Sequence, residues 1–245
     1  MPDHAPRPLR ELDLAAHLAD PATKQAFVTP MFDLVASSYD RFTRRFSFGM
    51  DAQWKRALLT ALAPCAGERT LDLACGTGDL AVACAAVGCA AHGVDASAAM
   101  IALAQRRSTT ATFAVGDMMA LDAPAASVDA ITASYAFRNV PVADAALAEC
   151  ARVLRPGGRI AVLDFYRPPS RLWEALFLWY LRRAGDLVGW LWHDEPIAYG
   201  YIAPSIRAWM TAAQFTARLD RAGFALTTSR RWLGGAVAMH VAVRR

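Results

Sequence analysis

The chain has 245 residues, 55% of them hydrophobic, and a formal charge of +4, so it can bury one sizeable core without disulfides. Its basic residues are dispersed as short pairs such as Arg44-Arg45 and Arg182-Arg183, which argues against nucleic-acid binding and leaves an anionic membrane surface open. No apolar run approaches the roughly 18 residues of a transmembrane helix, and Asp3, Arg7, Arg10 and Glu11 argue against a signal peptide.

Five cysteines with no C-x-x-C spacing fit a reduced, cytoplasmic setting. Residues 1–25 are expected to form a loose lead-in, with one short helix around Leu9 to Leu18. Residues 26–245 form a single domain with a helical cap (26–64) and an aromatic-rich lid (168–210). In the cap, Phe27, Met31, Phe32, Val35 and Ala36 fall at helical spacing, and Tyr39-Asp40 closes that helix. Phe42, Phe46, Phe48 and Met50 follow as an aromatic cluster that either packs on the core or roofs a pocket. Asp51 reads as the N-cap of a helix through Trp54, Leu58 and Leu62.

Arg69 to Leu73 reads as a buried strand, and Leu80 to Val87 as the start of a helix packed back on it. Between them lies Asp72-Leu-Ala-Cys-Gly-Thr-Gly78. Gly76 and Gly78 clear the turn of side chains, so a ligand can approach the backbone and the helix N-terminus. Strand and helix then alternate: strands at Ala90 to Val94, Ala111 to Val115, Val128 to Ser134 and Arg159 to Leu163, helices at Ala98 to Arg107 and Val142 to Leu154. After the Trp-rich stretch Pro168 to Pro196 come helices near Ser205 to Met210 and Ala213 to Arg221. Two strands end the chain, Ala225 to Arg231 and Ala236 to Val243. The pattern predicts an α/β fold, a doubly wound, mostly parallel seven-stranded Rossmann-like sheet with its last strand antiparallel.

Ligands in such sheets bind outside the strand C-termini near the point where strand order reverses. Asp72, Asp95, Asp117 and Ser134 all stand at or near such ends. Dehydrogenases carry a third glycine in the first turn, where this chain has Ala81. The D-x-A-x-G-x-G form fits S-adenosylmethionine methyltransferases instead. Asp95 would accept the ribose diol, and the Gly116-Asp117 pair would accept the adenine amine.

Longer motifs sharpen this: Met31-Phe-Asp-Leu-Val-Ala-Ser-Ser-Tyr-Asp40, Ser47-Phe-Gly-Met with Trp54-Lys-Arg, Leu71 to Asp79, Phe137-Arg-Asn-Val140, Arg152-Val-Leu-Arg-Pro-Gly-Gly158 and Gly234 to His240. In that order they resemble the ubiquinone/menaquinone biosynthesis C-methyltransferases, over about residues 27 to 243. The resemblance implies S-adenosylmethionine as cofactor and a ring carbon of a polyprenylated quinol as acceptor. It also implies cofactor contacts at Thr77, Asp95 with its neighbour Ala96, Asp117, Met118 and Ser134. The runners-up are a methyltransferase for another small aromatic metabolite and a weakly active, cofactor-binding subunit of a quinone-synthesis assembly.

Methylating a hydroquinone carbon requires a deprotonated ring oxygen, in-line alignment and exclusion of water. Asn139 is expected to hydrogen-bond a ring oxygen, with Arg138 stabilising the phenolate or ordering a water. The alternative for Arg138 is an ion pair with Asp40 or another carboxylate. His240 is either the base or a core histidine held by hydrogen bonds. Tyr39, Asp40, Phe48 and Tyr135 are expected to flank the acceptor. His193-Asp-Glu195 is too compact for a metal cage, so no metal is expected. The Trp-rich stretch either shelters an isoprenoid tail and meets a membrane surface, or packs as a cover or homodimer contact.

Overall fold

The computed structural model describes residues 21–192 and 201–245, so most of the expected lead-in, its helix at Leu9 to Leu18, and His193-Asp194-Glu195 lie outside the described residues. One seven-stranded sheet runs in the order β3-β2-β1-β4-β5-β7-β6. Its strands are β1 (Arg69–Leu73), β2 (Ala90–Asp95), β3 (Thr112–Val115), β4 (Val128–Ser134), β5 (Leu154–Phe165), β6 (Phe224–Trp232) and β7 (Val237–Arg244). β1 to β5 are parallel, and β7 is antiparallel to both neighbours. This is the predicted fold, and its order reverses between β1 and β4.

The helices are α1 (Pro21–Val35), α2 (Tyr39–Phe46), α3 (Met50–Leu62), α4 (Asp79–Ala86), α5 (Ala98–Arg107), α6 (Ala143–Val153), α7 (Arg171–Trp192), α8 (Ile202–Ala208) and α9 (Ala212–Arg221). They bury both faces of the sheet. Leu71, Ile131, Ile160, Phe137, Leu147 and Phe215 form one core layer; Trp54, Leu58, Leu62, Leu80, Leu163 and Val241 form another. Strands covered on both faces read as near-continuous apolar runs, and that is why β4 and β5 were legible in the sequence.

Several boundaries differ from expectation. A 3-10 turn, Ala36–Ser38, separates α1 from α2, so Tyr39 and Asp40 open a helix rather than close one. Asp51 lies inside the first turn of α3, behind an N-cap at Gly49, and its carboxylate is drawn away by Lys55 and Tyr135. β5 starts at Leu154, with Pro156-Gly157-Gly158 absorbed in an irregular stretch opposite Val128 and Ala130. The Trp-rich stretch is one helix through Trp192.

Candidate active site

A cleft opens at the C-terminal ends of β1, β2 and β4, the edge at which such sheets bind their ligands. Asp95 ends β2 and holds the floor in place. Its Oδ2 accepts the Gly76 N–H at 2.8 Å and its Oδ1 the Ser97 N–H at 2.9 Å, so one carboxylate ties the glycine turn to the start of α5. Burial pushes its pKa up, while these two amides favour the charged form. Each oxygen keeps a lone pair for a ligand hydroxyl. The two glycines divide the labour. Gly76, at φ +54°, lines the cleft and has nothing within 4 Å of where a Cβ would stand. Gly78, at φ +88°, has the Phe113 ring 2.8 Å from that point. Gly78 therefore serves close packing of the turn on β3, not ligand approach.

Asp72 is behind the turn. Its buried carboxylate accepts the Thr132 hydroxyl at 2.8 Å and the Ala81 N–H at 3.1 Å, bracing β1 against β4 and α4; burial raises its pKa to about 7. Thr77 also turns away from the cleft. Its hydroxyl bonds Asp40 and Arg107, both at 2.7 Å. Arg107 continues to Asp79 at 3.0 Å, Lys55 bridges Asp79 and Asp51 at 3.0 Å each, and the Tyr135 hydroxyl donates to Asp51 at 2.7 Å. This network fastens the helical cap to the first turn and reaches the cleft at Tyr135. Asp40 is thereby a cap fastener.

The segment after β4 forms the far wall. Tyr135 adopts a left-handed φ of +57° and stacks on Phe165 at 5.2 Å, a strained conformation of the sort that clusters at functional sites. Asn139 lines the cleft with its amide fixed at both ends: Nδ2 donates to the Tyr135 carbonyl and Oδ1 accepts the Tyr201 hydroxyl, each at 2.9 Å. Arg138 points the other way. It is 5% exposed, its backbone N–H donates to Asp164 Oδ2 at 3.0 Å, its Nε lies 3.7 Å from Asp164 Oδ1, and its Nη1 meets Ser205. The Tyr201 and Phe165 rings sit 5.7 and 6.0 Å from the guanidinium. Of the two expectations for Arg138, the carboxylate pair is the one observed, with Asp164 as partner. Lys24 of α1 caps the segment by donating to the Arg138 and Val140 carbonyls at 2.9 and 3.0 Å; burial and the nearby Arg138 lower its pKa to about 8.

Nine of the residues expected to contact cofactor or acceptor meet in this cleft: Tyr39, Gly76, Asp95, Ala96, Asp117, Met118, Ser134, Tyr135 and Asn139. Asp72, Thr77, Gly78, Asp40, Phe48, Arg138 and His240 do not line it. Phe48 is 76% exposed on the cap. His240 is packed against Tyr166 and Phe215 at ring distances of 5.3 and 5.4 Å, and burial lowers its pKa to about 4. That enclosure, with Nδ1 3.4 Å from the Tyr166 hydroxyl, favours the core reading of His240. Gln25, Val28 and Thr29 of α1, and Ser97 and Met100 at α5, also line the cleft. The amphipathic spacing of α1 signalled its packing face but not which residues would overhang a ligand. No cluster of His, Cys, Asp or Glu able to hold a metal occurs among the described residues.

An adenosyl cofactor suits this donor set. Carboxylates at the ends of β2 and after β3 can take hydroxyl and amine hydrogens, while Val94, Met100 and Met118 supply apolar surface for a flat base. Comparison with known proteins agrees. The model of the ubiE/COQ5 methyltransferase family matches residues 21–244. A demethylmenaquinone methyltransferase of Beutenbergia cavernae is 40% identical over 87% of this chain and 89% of its own. One of Mycobacterium marinum is 39% identical over 87% and 91%. Among solved structures, a Thermotoga maritima S-adenosylmethionine-dependent methyltransferase superposes with a TM-score of 0.63 at 16% identity, covering 89% of this chain and 100% of its own; at that identity it speaks to the fold. With S-adenosylmethionine as its cofactor, the chain belongs to the ubiE/COQ5 methyltransferase family.

Proposed function

We propose that the chain methylates a ring carbon of demethylmenaquinol, a lipid-tailed naphthoquinol, in respiratory quinone biosynthesis. The observation that carries this is the near full-length relatedness, at 37–40% identity, to proteins named for that acceptor. The cleft supports it: Val28, Phe32, Tyr39, Tyr135 and Val140 give an apolar and aromatic wall around Asn139, suited to a fused ring.

S-adenosylmethionine supplies an electrophilic methyl group on a cationic sulfur. The protein's own residues bind, orient and exclude water. Asp95, Ala96, Asp117, Met118, Gly76 and Ser134 hold the adenosyl part, while Asp72, Thr77 and Gly78 shape the turn beneath it. Asn139 carries a second amide hydrogen beyond the one given to Tyr135, and we assign it to the ring oxygen that bears negative charge as the carbon attacks. Arg138 is a positioning residue, because its pair with buried Asp164 fixes the backbone that presents Asn139. All five cysteines are free, consistent with a cytoplasmic site of action.

The test is turnover of the purified protein with S-adenosylmethionine and either demethylmenaquinol or the benzoquinol precursor of ubiquinone, read as gain of one methyl by mass spectrometry. Transfer to the naphthoquinol is the expected result. Cofactor binding without transfer to it refutes the acceptor assignment.

A further inference from the structure

Helix α7 carries an apolar face that is exposed among the described residues. One face of α7 is buried: Phe177, Leu178 and Leu181 pack with Ala203, Ile206 and Ala236. The other exposes Leu172 (73%), Leu176 (52%), Trp179 (63%) and Tyr180 (40%). These positions recur at the i, i+4, i+7, i+8 spacing that places side chains on one stripe of a helix. Adjacent large apolar side chains of this exposure mark an interaction surface rather than ordinary scatter.

We infer that this stripe docks α7 on an anionic bilayer surface. Three features select lipid over another protein. Exposed arginines bracket the stripe, Arg171 at one end and Arg182 and Arg183 at the other, and they complement anionic headgroups. By helical spacing Arg183 falls in line with Leu172, Leu176 and Tyr180, where a long cationic side chain can reach headgroups while its stem lies on apolar surface. The one carboxylate between residues 171 and 183, Glu174, is half-buried and two residues from Leu172, on a different side of the helix. Trp and Tyr also suit the boundary between headgroups and acyl chains. No helix among the described residues is long and apolar enough to cross a membrane, so α7 lies on the surface with its stripe inserted ~5–10 Å.

The position of α7 gives docking a purpose. Its buried face belongs to a cluster that Phe165 packs against, Phe165 stacks on Tyr135, and Tyr135 lines the cleft. A docked α7 would therefore hold the cleft one packed layer from the bilayer that stores a lipid-tailed acceptor. That link rests on the acceptor proposed above, whereas the docking surface itself does not.

Flotation of the full chain with vesicles tests the inference, using neutral phosphatidylcholine and the same lipid carrying roughly a third phosphatidylglycerol. Each surface arginine is worth about 1 kcal/mol against anionic lipid, or about fivefold. Binding to the neutral vesicles should therefore be weaker by on the order of a hundredfold. The double variant Leu176→Glu, Trp179→Glu should lose at least tenfold on the anionic vesicles. Because both side chains are exposed, its stabilisation by S-adenosylhomocysteine should match wild type. Wild-type protein that fails to float with either vesicle, or a folded double variant that floats like wild type, overturns the inference. A doubled mass in sedimentation that the double variant abolishes, without flotation, assigns the face to a second copy and overturns it too. A short-tailed, water-soluble demethylnaphthoquinol separates the two proposals. Equal turnover of it by wild type and double variant supports docking as a separate function. If neither methylates it while wild type still floats, the acceptor assignment fails and docking stands.

Discussion

Replacing Asp95 by Asn keeps the side chain's shape and removes its charge, and the structure says what that should cost. Both carboxylate oxygens accept a backbone N–H, from Ser97 and Gly76. An amide has one accepting oxygen, so its NH2 group must face one of those two donors. One charge-assisted bond is lost, worth about 1.5–3 kcal/mol. At ~2–4 °C per kcal/mol for a domain of this size, the ligand-free protein should melt roughly 3–12 °C lower. The loss recurs on binding if, as proposed, the same group accepts the cofactor's hydroxyls: S-adenosylhomocysteine should then bind ~10–100-fold more weakly. Asp95→Ala, which surrenders both backbone bonds, should melt lower still. Calorimetric titration and differential scanning fluorimetry on wild type and both variants provide the assay. An Asn variant that matches wild type in melting temperature and affinity would refute the role assigned to both oxygens.

Two further substitutions should separate site from scaffold. Gly76→Ala meets no neighbour and carries only the left-handed backbone penalty of about 1–2 kcal/mol, so its main effect should be on cofactor affinity. Gly78→Ala drives a methyl into the Phe113 ring and should destabilise by a further ~1–3 kcal/mol; urea unfolding ranks the two, and the reverse order would contradict the packing argument. His240 should matter for acid stability and not for turnover. Its folded pKa of about 4 lies below the ordinary value of 6.5, so it contributes stability that is present above pH 6.5 and lost as pH falls through 4. His240→Phe should remove on the order of 3 kcal/mol of that acid sensitivity and leave the pH profile of kcat in place; loss of the acid-side limb would return His240 to the mechanism as its base.

Local pattern was enough to determine the sheet and much of the lining of the cleft. β1, β2 and β4 are short apolar runs ending in or near polar residues, and a parallel strand can end nowhere but at the ligand-bearing edge; Asp95, Asp117 and Ser134 followed directly. The packing decided what spacing cannot express. Asp72 and Asp95 both occupy strands beside a glycine turn, yet one braces β4 and the other lines the cleft, because Asp72 lies inside β1 level with Gly93, whereas Asp95 ends β2 two residues nearer the open edge. Arg138 and Asn139 are adjacent in sequence and face apart, since Asp164, 26 residues on, claims the guanidinium. Gly78 is required by Phe113, and His240 is enclosed by Tyr166 and Phe215. Each of these outcomes depends on a partner brought near only when the sheet closes. The same holds for the α7 stripe: the sequence displayed its tryptophans, but only the packed helix determines which apolar side chains are buried and which face outward.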